Sequence, residues 1–147
     1  MWWDLYFKIW EIAAGFLTFL WKKKKLKYVN VLFIDDNDSD FAIINTLRDS
    51  RAYRSVESLS DLDHLDNETL KKADIVFLDI QWIWIKMNFS DWTELVDKIL
   101  EKYPKKIIVI YSSKWLPKNS LIKNWVHTIP KWSDHATFSS FIKEIWE

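Results

Sequence analysis

The sequence has no cysteine, one glycine and no net charge, and each shortage removes a class of function. Without cysteine there can be no disulfide, no thiolate metal site and no thiol catalysis. With Gly15 as the single glycine, loops that cradle phosphate on glycine backbone are excluded, both the Walker type and the dinucleotide fingerprint. Basic and acidic side chains number 21 each, so no global field favours nucleic acid and local clusters must carry any electrostatic role. The histidines His64, His127 and His135 fall in different predicted elements without ligand spacing. Surface or core histidines are therefore expected, not zinc or haem.

What is present is an apolar and tryptophan-rich chain: 147 residues, 49% hydrophobic, with 11 tryptophans. That is enough to bury one core. The chain divides into a helix over 1–21, a basic linker over 22–28 and a globular domain over 29–147. From Trp3 to Trp21 a helix rises roughly 27 Å, close to the apolar thickness of a bilayer, and tryptophans fall at both ends. Lys22, Lys23, Lys24 and Lys25 follow, with Lys27 beyond. Read as a single span, the positive-inside rule places these lysines against anionic lipid and the C-terminal domain in the cytoplasm, so that the protein sits in the inner (cytoplasmic) membrane. A cleaved signal peptide fits poorly, because the basic run follows the apolar core.

Within that helix Asp4, Lys8, Glu11, Gly15 and Thr18 step by four, three, four and three, which sets them in one narrow stripe. Charges and small residues on one stripe suit a helix that packs against another, its own copy or that of a membrane protein. An amphipathic helix lying in the interface, or a docking helix off the membrane, stays open as a reading.

Beyond Tyr28, short apolar runs alternate with helical patterns. Strands are predicted over 29–35, 53–58, 73–80, 106–112 and 125–129, and helices over 38–49, 61–72, 91–102, 118–124 and 134–146. Three of the runs are apolar without alternation, as in strands covered on both faces. Five strand–helix repeats predict an α/β fold with a doubly wound parallel sheet. Ligands of such sheets bind beyond the carboxyl ends of the strands. Asp35 and Asp36 end the first predicted strand, Asp79 the third and Ser112 the fourth, while Lys131 follows the fifth. Three carboxylates at one rim repel each other unless a divalent cation and a lysine neutralise them, and Mg²⁺ takes oxygen ligands of this kind. A carboxylate so held can attack a phosphoryl group. The plain alternatives are a helix cap for the acids, with Asp38 or Ser39 able to serve, an ordinary strand terminus for Asp79, and simple charge neutralisation for Lys131.

The stretches "VLFIDDNDSD", "ADIVFLDI", "IIVIYSS" and "HTIPKWSDHATFSSFIKEI", in that order and spacing, resemble the response-regulator receiver family of two-component signalling over about residues 29–146. The resemblance implies a flavodoxin-like five-stranded sheet in the order 2-1-3-4-5. It implies Mg²⁺ on Asp35, Asp36 and Asp79 and on the backbone carbonyl of Gln81. Phosphoryl transfer to Asp79 from a histidine kinase or phosphotransfer protein follows, with Ser112 and Lys131 reading the phosphoryl group. It implies no enzyme beyond the domain's own phosphorylation and dephosphorylation. The chain departs from the family in three places. The proline and glycine usual after the phosphorylated aspartate are replaced by "IQWIWIKMNFSDW". Thr128 stands where an aromatic switch residue is common. The register of the fourth strand leaves open whether Ser112 or Tyr111 takes the phosphoryl-reading position.

Trp82, Ile83, Trp84 and Ile85 are either an extended strand or a partner surface, and Trp115, Trp125, Trp132 and Trp146 are core or interface. Three functional readings follow. One is a membrane-anchored receiver signalling through protein contacts. Another is a phosphorylation-independent pseudo-receiver that acts as scaffold or regulatory subunit of a membrane complex. The third, an aspartate-nucleophile phosphatase suggested by the D-x-D spacing of Asp36 and Asp38, lacks the second acidic pair such enzymes carry.

Overall fold

The computed structural model describes residues 2–20, 24–36, 41–79, 87–89, 91–112 and 126–147, with the side chains of 13–20 and 41 excepted. The predicted alternation is there. Helix α1 (Trp2–Leu20) and a 3₁₀ turn at Leu26–Tyr28 precede β1 (Asn30–Ile34), α2 (Phe41–Asp49), β2 (Ser55–Leu59), α3 (Glu68–Lys72) and β3 (Ile75–Asp79). Then come α4 (Trp92–Lys102), β4 (Ile107–Ser112), β5 (Val126–Pro130) and α5 (His135–Trp146). The predicted helix at 118–124 lies outside the described residues.

All strand pairs are parallel and the order is β2-β1-β3-β4-β5. The runs that read as apolar without alternation are the central strands, and every residue of β3 is buried. β2 and β5, at the two edges, are only partly covered, which is why their sequence signal is weak. Alternation splits each central strand between two cores. On one side Leu32, Ile34, Val76, Leu78, Ile108 and Ile110 meet Leu95, Val96, Ile99 and Leu100 of α4. On the other, Val31, Phe33, Phe77, Val109 and Tyr111 meet Ile44 and Leu47 of α2 and Phe138 and Ile142 of α5. The helices start where side-chain caps satisfy their first amides: Asp91 accepts from Glu94 N–H at 3.0 Å and Asp134 from Thr137 N–H at 2.8 Å.

The predicted helix over 61–72 is shorter in the structure. Asn67 accepts from Leu70 N–H at 3.1 Å and so starts α3 only at Glu68, while Leu62 is buried in the core outside any helix. The segment after α1 is docked against the domain. Lys24 pairs with Asp74 at 2.7 Å, and Trp146 Nε1 donates to the Lys24 carbonyl at 2.7 Å.

The membrane reading is corrected. Among the described residues no helix is long and apolar enough to cross a membrane, so the structure gives no single-pass span and no inner-membrane placement. α1 has the length, but its 19 residues carry Asp4, Lys8 and Glu11 together with three tryptophans and a tyrosine, and charge at membrane depth is too costly to ignore. Residues 2–12 are exposed throughout, charges and aromatics alike. The surroundings of Gly15 and the side chain of Thr18, and all of Lys22 and Lys23, fall outside the description. Lys25 is exposed, and no lipid or membrane-protein partner is supported.

Candidate functional site

The sheet reverses its winding direction between β1 and β3, so the carboxyl ends of these two strands flank the crevice where a ligand fits. Parity does the rest. Phe33 and Phe77 stack on the α2/α5 side with ring centroids 4.6 Å apart, and Asp35 and Asp79 stand two residues further on, on that same side. Asp35 N–H extends the ladder to the Leu59 carbonyl at 3.0 Å, which fixes its backbone. Tyr111 lies beside Asp79 in the β3–β4 register and packs edge-on against Phe33 and Phe77.

Lys131 enters from the turn after β5, where its N–H donates to the Ser112 carbonyl at 3.0 Å. Its ammonium sits 2.9 Å from Asp35 Oδ2 and 3.0 Å from Asp79 Oδ2, and 5.4 Å over the Tyr111 ring. The Tyr111 hydroxyl donates to Asp35 Oδ2 at 2.9 Å. Asp35 and Asp79 are buried and Asp36 is exposed. One carboxylate oxygen from each of the three lies within 4.8 Å of the others. Burial holds the Asp79 carboxyl above its ordinary value; the Lys131 hydrogen bond opposes this and nearby Asp35 adds to it.

Three carboxylates against one ammonium leave a local excess of negative charge at this rim. Hard oxygen donors at this separation, one of them open to solvent, fit a divalent cation such as Mg²⁺. Asp79, at the end of β3, and Asp35 are both held by Lys131, at 3.0 and 2.9 Å.

The structure thus brings Asp35, Asp36, Asp79 and Lys131 together. Ser112 is buried but follows Tyr111 by one residue, which turns its side chain to the opposite face of the sheet from Asp79. Tyr111 takes the place beside the acids. Thr128 is exposed in the edge strand, so no aromatic relay stands there. Gln81, Trp82, Ile83, Trp84 and Ile85 lie outside the described residues, as do Asp38, Ser39, Trp115 and Trp125. Trp132 is exposed, whereas Trp146, the last residue of α5, packs partly against the core. The bond from Tyr111 to Asp35 was missed in the sequence reading. Its one signal was the phenol next to the expected serine in "IVIYSS".

No family model matches the sequence, and no curated protein does. Among solved structures, similarity is found to a CheY-like receiver domain protein from Methanospirillum hungatei, with a TM-score of 0.57 and 16% identity over 80% of this chain and 92% of that one. The chemotaxis protein CheY4 of Vibrio cholerae aligns with a TM-score of 0.58 and 18% identity over 80% and 98% of the two chains. A third is a CheX–CheY–BeF₃–Mg²⁺ complex from Borrelia burgdorferi, with a TM-score of 0.56 and 20% identity over 81% and 90%. At such identities the likeness shows the fold, which is that of CheY-like receivers.

Proposed function

We propose that this domain is a receiver that accepts a phosphoryl group on Asp79 and signals through protein–protein contacts. The observation that carries the reading is the seating of one lysine between two buried carboxylates, with a third carboxylate at hand, at the switch point of a receiver fold. An Asp79 carboxylate oxygen forms the new bond to phosphorus as the bond from phosphorus to the donor's leaving atom breaks, and the donor takes up the proton it needs. Asp35, Asp36 and Asp79, with the Gln81 carbonyl as the resemblance implies, would hold Mg²⁺, which when bound neutralises charge on the phosphoryl oxygens. Lys131 keeps Asp79 in place and pairs with a phosphoryl oxygen once it is attached. The Borrelia complex contains Mg²⁺ and BeF₃, which makes the same two probes suitable here. The phosphodonor would be a histidine kinase or a phosphotransfer protein, and the domain itself would turn over no other substrate.

The test is incubation of the full chain with Mg²⁺ and beryllofluoride or a small phosphodonor, read by intact mass and by tryptophan fluorescence. Adduct formation that depends on Mg²⁺ and is lost in Asp79→Asn is the expected result; no adduct removes the reading.

A second reading, a pseudo-receiver that acts as a scaffold without phosphorylation, is favoured by one observation. Tyr111, not a small hydroxyl residue, faces Asp79 and already bonds Asp35. In that case Asp79→Asn leaves partner binding unchanged.

A further inference from the structure

At the opposite rim of the sheet, where β3 and β4 begin, the charge has the other sign. A cavity of about 350 Å³ is lined by Lys71, Lys102, Lys105 and Lys106 around Tyr103, with Asp74 as the one acid in its wall. That acid is already committed, since Asp74 Oδ2 takes Lys24 at 2.7 Å and Asn30 N–H at 2.8 Å. The ammonium of Lys106 is half-buried, donating to the carbonyls of Lys71, at 2.9 Å, and of Ala73. Among the described residues no carboxylate pairs with it. It also lies 4.8 Å from the centroid of the Tyr103 ring, with Lys102 at 5.9 Å from the same ring. Tyr103 itself is held, its hydroxyl donating to the Leu65 carbonyl at 2.6 Å. Lys71 and Lys102 reach Glu68 and Asp66 in pairs whose side chains are open to solvent, and such pairs give way readily to a better anion.

We propose that this cavity is a binding site for a small, multiply charged phosphate anion, phosphate or pyrophosphate free in solution, with Lys106 as the inner donor and Lys71, Lys102 and Lys105 around it. The physical case is that of an unfinished ion pair. A cation taken half out of water among other cations is costly, and neutral carbonyls, a ring face and Asp74, which is shared with Lys24, offset that only in part. An oxyanion supplies the missing charge and accepts the ammonium hydrogens at charge-assisted strength. The titration of Lys106 agrees with this geometry. Burial, helped by Lys24 and opposed by Asp74, lowers its pKa to about 8, and an anion in the cavity raises it again. The charged or titratable groups facing Lys106 are Lys24, Lys71, Asp74, Lys102, Tyr103 and Lys105. Binding is then coupled to proton uptake and weakens as pH rises through 8. The site is separate from the acidic crevice, for β3 separates Asp74 from Asp79 by about 16 Å at roughly 3.3 Å per residue.

Titration calorimetry of the full chain with inorganic pyrophosphate, in low salt and EDTA, tests this. Saturable one-to-one binding is expected, with a heat that varies with the ionisation enthalpy of the buffer and an affinity at least fivefold weaker at pH 9.5 than at pH 7. Lys106→Met should weaken it at least tenfold and Lys105→Met, at the rim, severalfold. Lys98→Met, on α4 outside the cavity, should leave it unchanged, as should Asp79→Asn. Circular dichroism shows whether Lys106→Met is folded, and if it is not, Lys105→Met decides. Absence of saturable binding overturns the proposal, and so does an equal loss in Lys98→Met and Lys105→Met, which would make the effect one of net charge.

Discussion

Replacing Lys131 by methionine keeps the aliphatic stem and removes the ammonium that lies 2.9 Å from Asp35 and 3.0 Å from Asp79. Those two carboxyl side chains are 5% and 2% exposed, so water cannot take the place of the lysine. Removing one partner of such a buried pair costs about 3–5 kcal/mol. For a domain of this size, at about 4 °C per kcal/mol, the melting temperature should fall by about 12–20 °C. The two stranded carboxylates can relieve themselves by taking up a proton, which shifts their pKa upward. Their folded form then binds protons more tightly than the unfolded chain, so the deficit is small at pH 4 and grows as pH rises. Urea unfolding followed by tryptophan fluorescence in EDTA, at pH 4.5 and at pH 7.5, measures both effects. Asp79→Asn placed in the Lys131→Met background should restore most of the loss, because one of the two charges is gone, and millimolar Mg²⁺ should do so in the single variant. A deficit below about 1 kcal/mol at pH 7.5 would refute the claim that Lys131 is what allows the acids to stand together.

Asp79→Asn by itself should raise stability at neutral pH. The folded Asp79 pKa lies above its unfolded value near 3.8, so the group's contribution is complete below that value and is lost as pH rises through the folded one; asparagine escapes the loss, and melting curves from pH 3 to 8 should show the two proteins diverging upward. Tyr111→Phe keeps the ring against Phe33 and Phe77 and deletes the 2.9 Å bond to Asp35, at a cost of about 1.5–3 kcal/mol for a hydrogen bond to a charged group. A loss near zero in urea unfolding would mean that water replaces the phenol. Phe77→Ala empties the centre of the aromatic cluster, where Phe77 is fully buried and stacked on Phe33, and should cost about 3–5 kcal/mol, read in the same assay.

How much of this was legible beforehand differs from element to element. The central strands announced themselves, because "NVLFI", "IVFLD" and "IIVIYS" are covered by helices on both faces and need no polar side. Asp35, Asp36, Asp79 and Lys131 were legible as strand-end residues, since a parallel sheet gathers its carboxyl ends at one rim whatever lies between them. Helix α3 was overextended because the pattern over 61–72 is apolar enough for a helix, while the Asn67 cap that starts it late is a local bond with no periodic signature. The membrane reading of α1 rests on length and flanking lysines and assigns its three charges to a stripe facing another helix, whereas no described helix is apolar enough to span.

What the amino-acid order determined alone, then, was the alternation of strand and helix and which acids stand at the rim, since both follow from local periodicity and chain direction. Tertiary structure alone decided that Tyr111 and not Ser112 faces Asp79. Register between β3 and β4 is set by packing across the sheet, and a shift of one residue exchanges the two sides. It also decided where the basic cavity lies, because Lys102, Lys105 and Lys106 are neighbours in the chain but Lys71, 35 residues before Lys106, joins them only when the end of α3 meets the segment between α4 and β4.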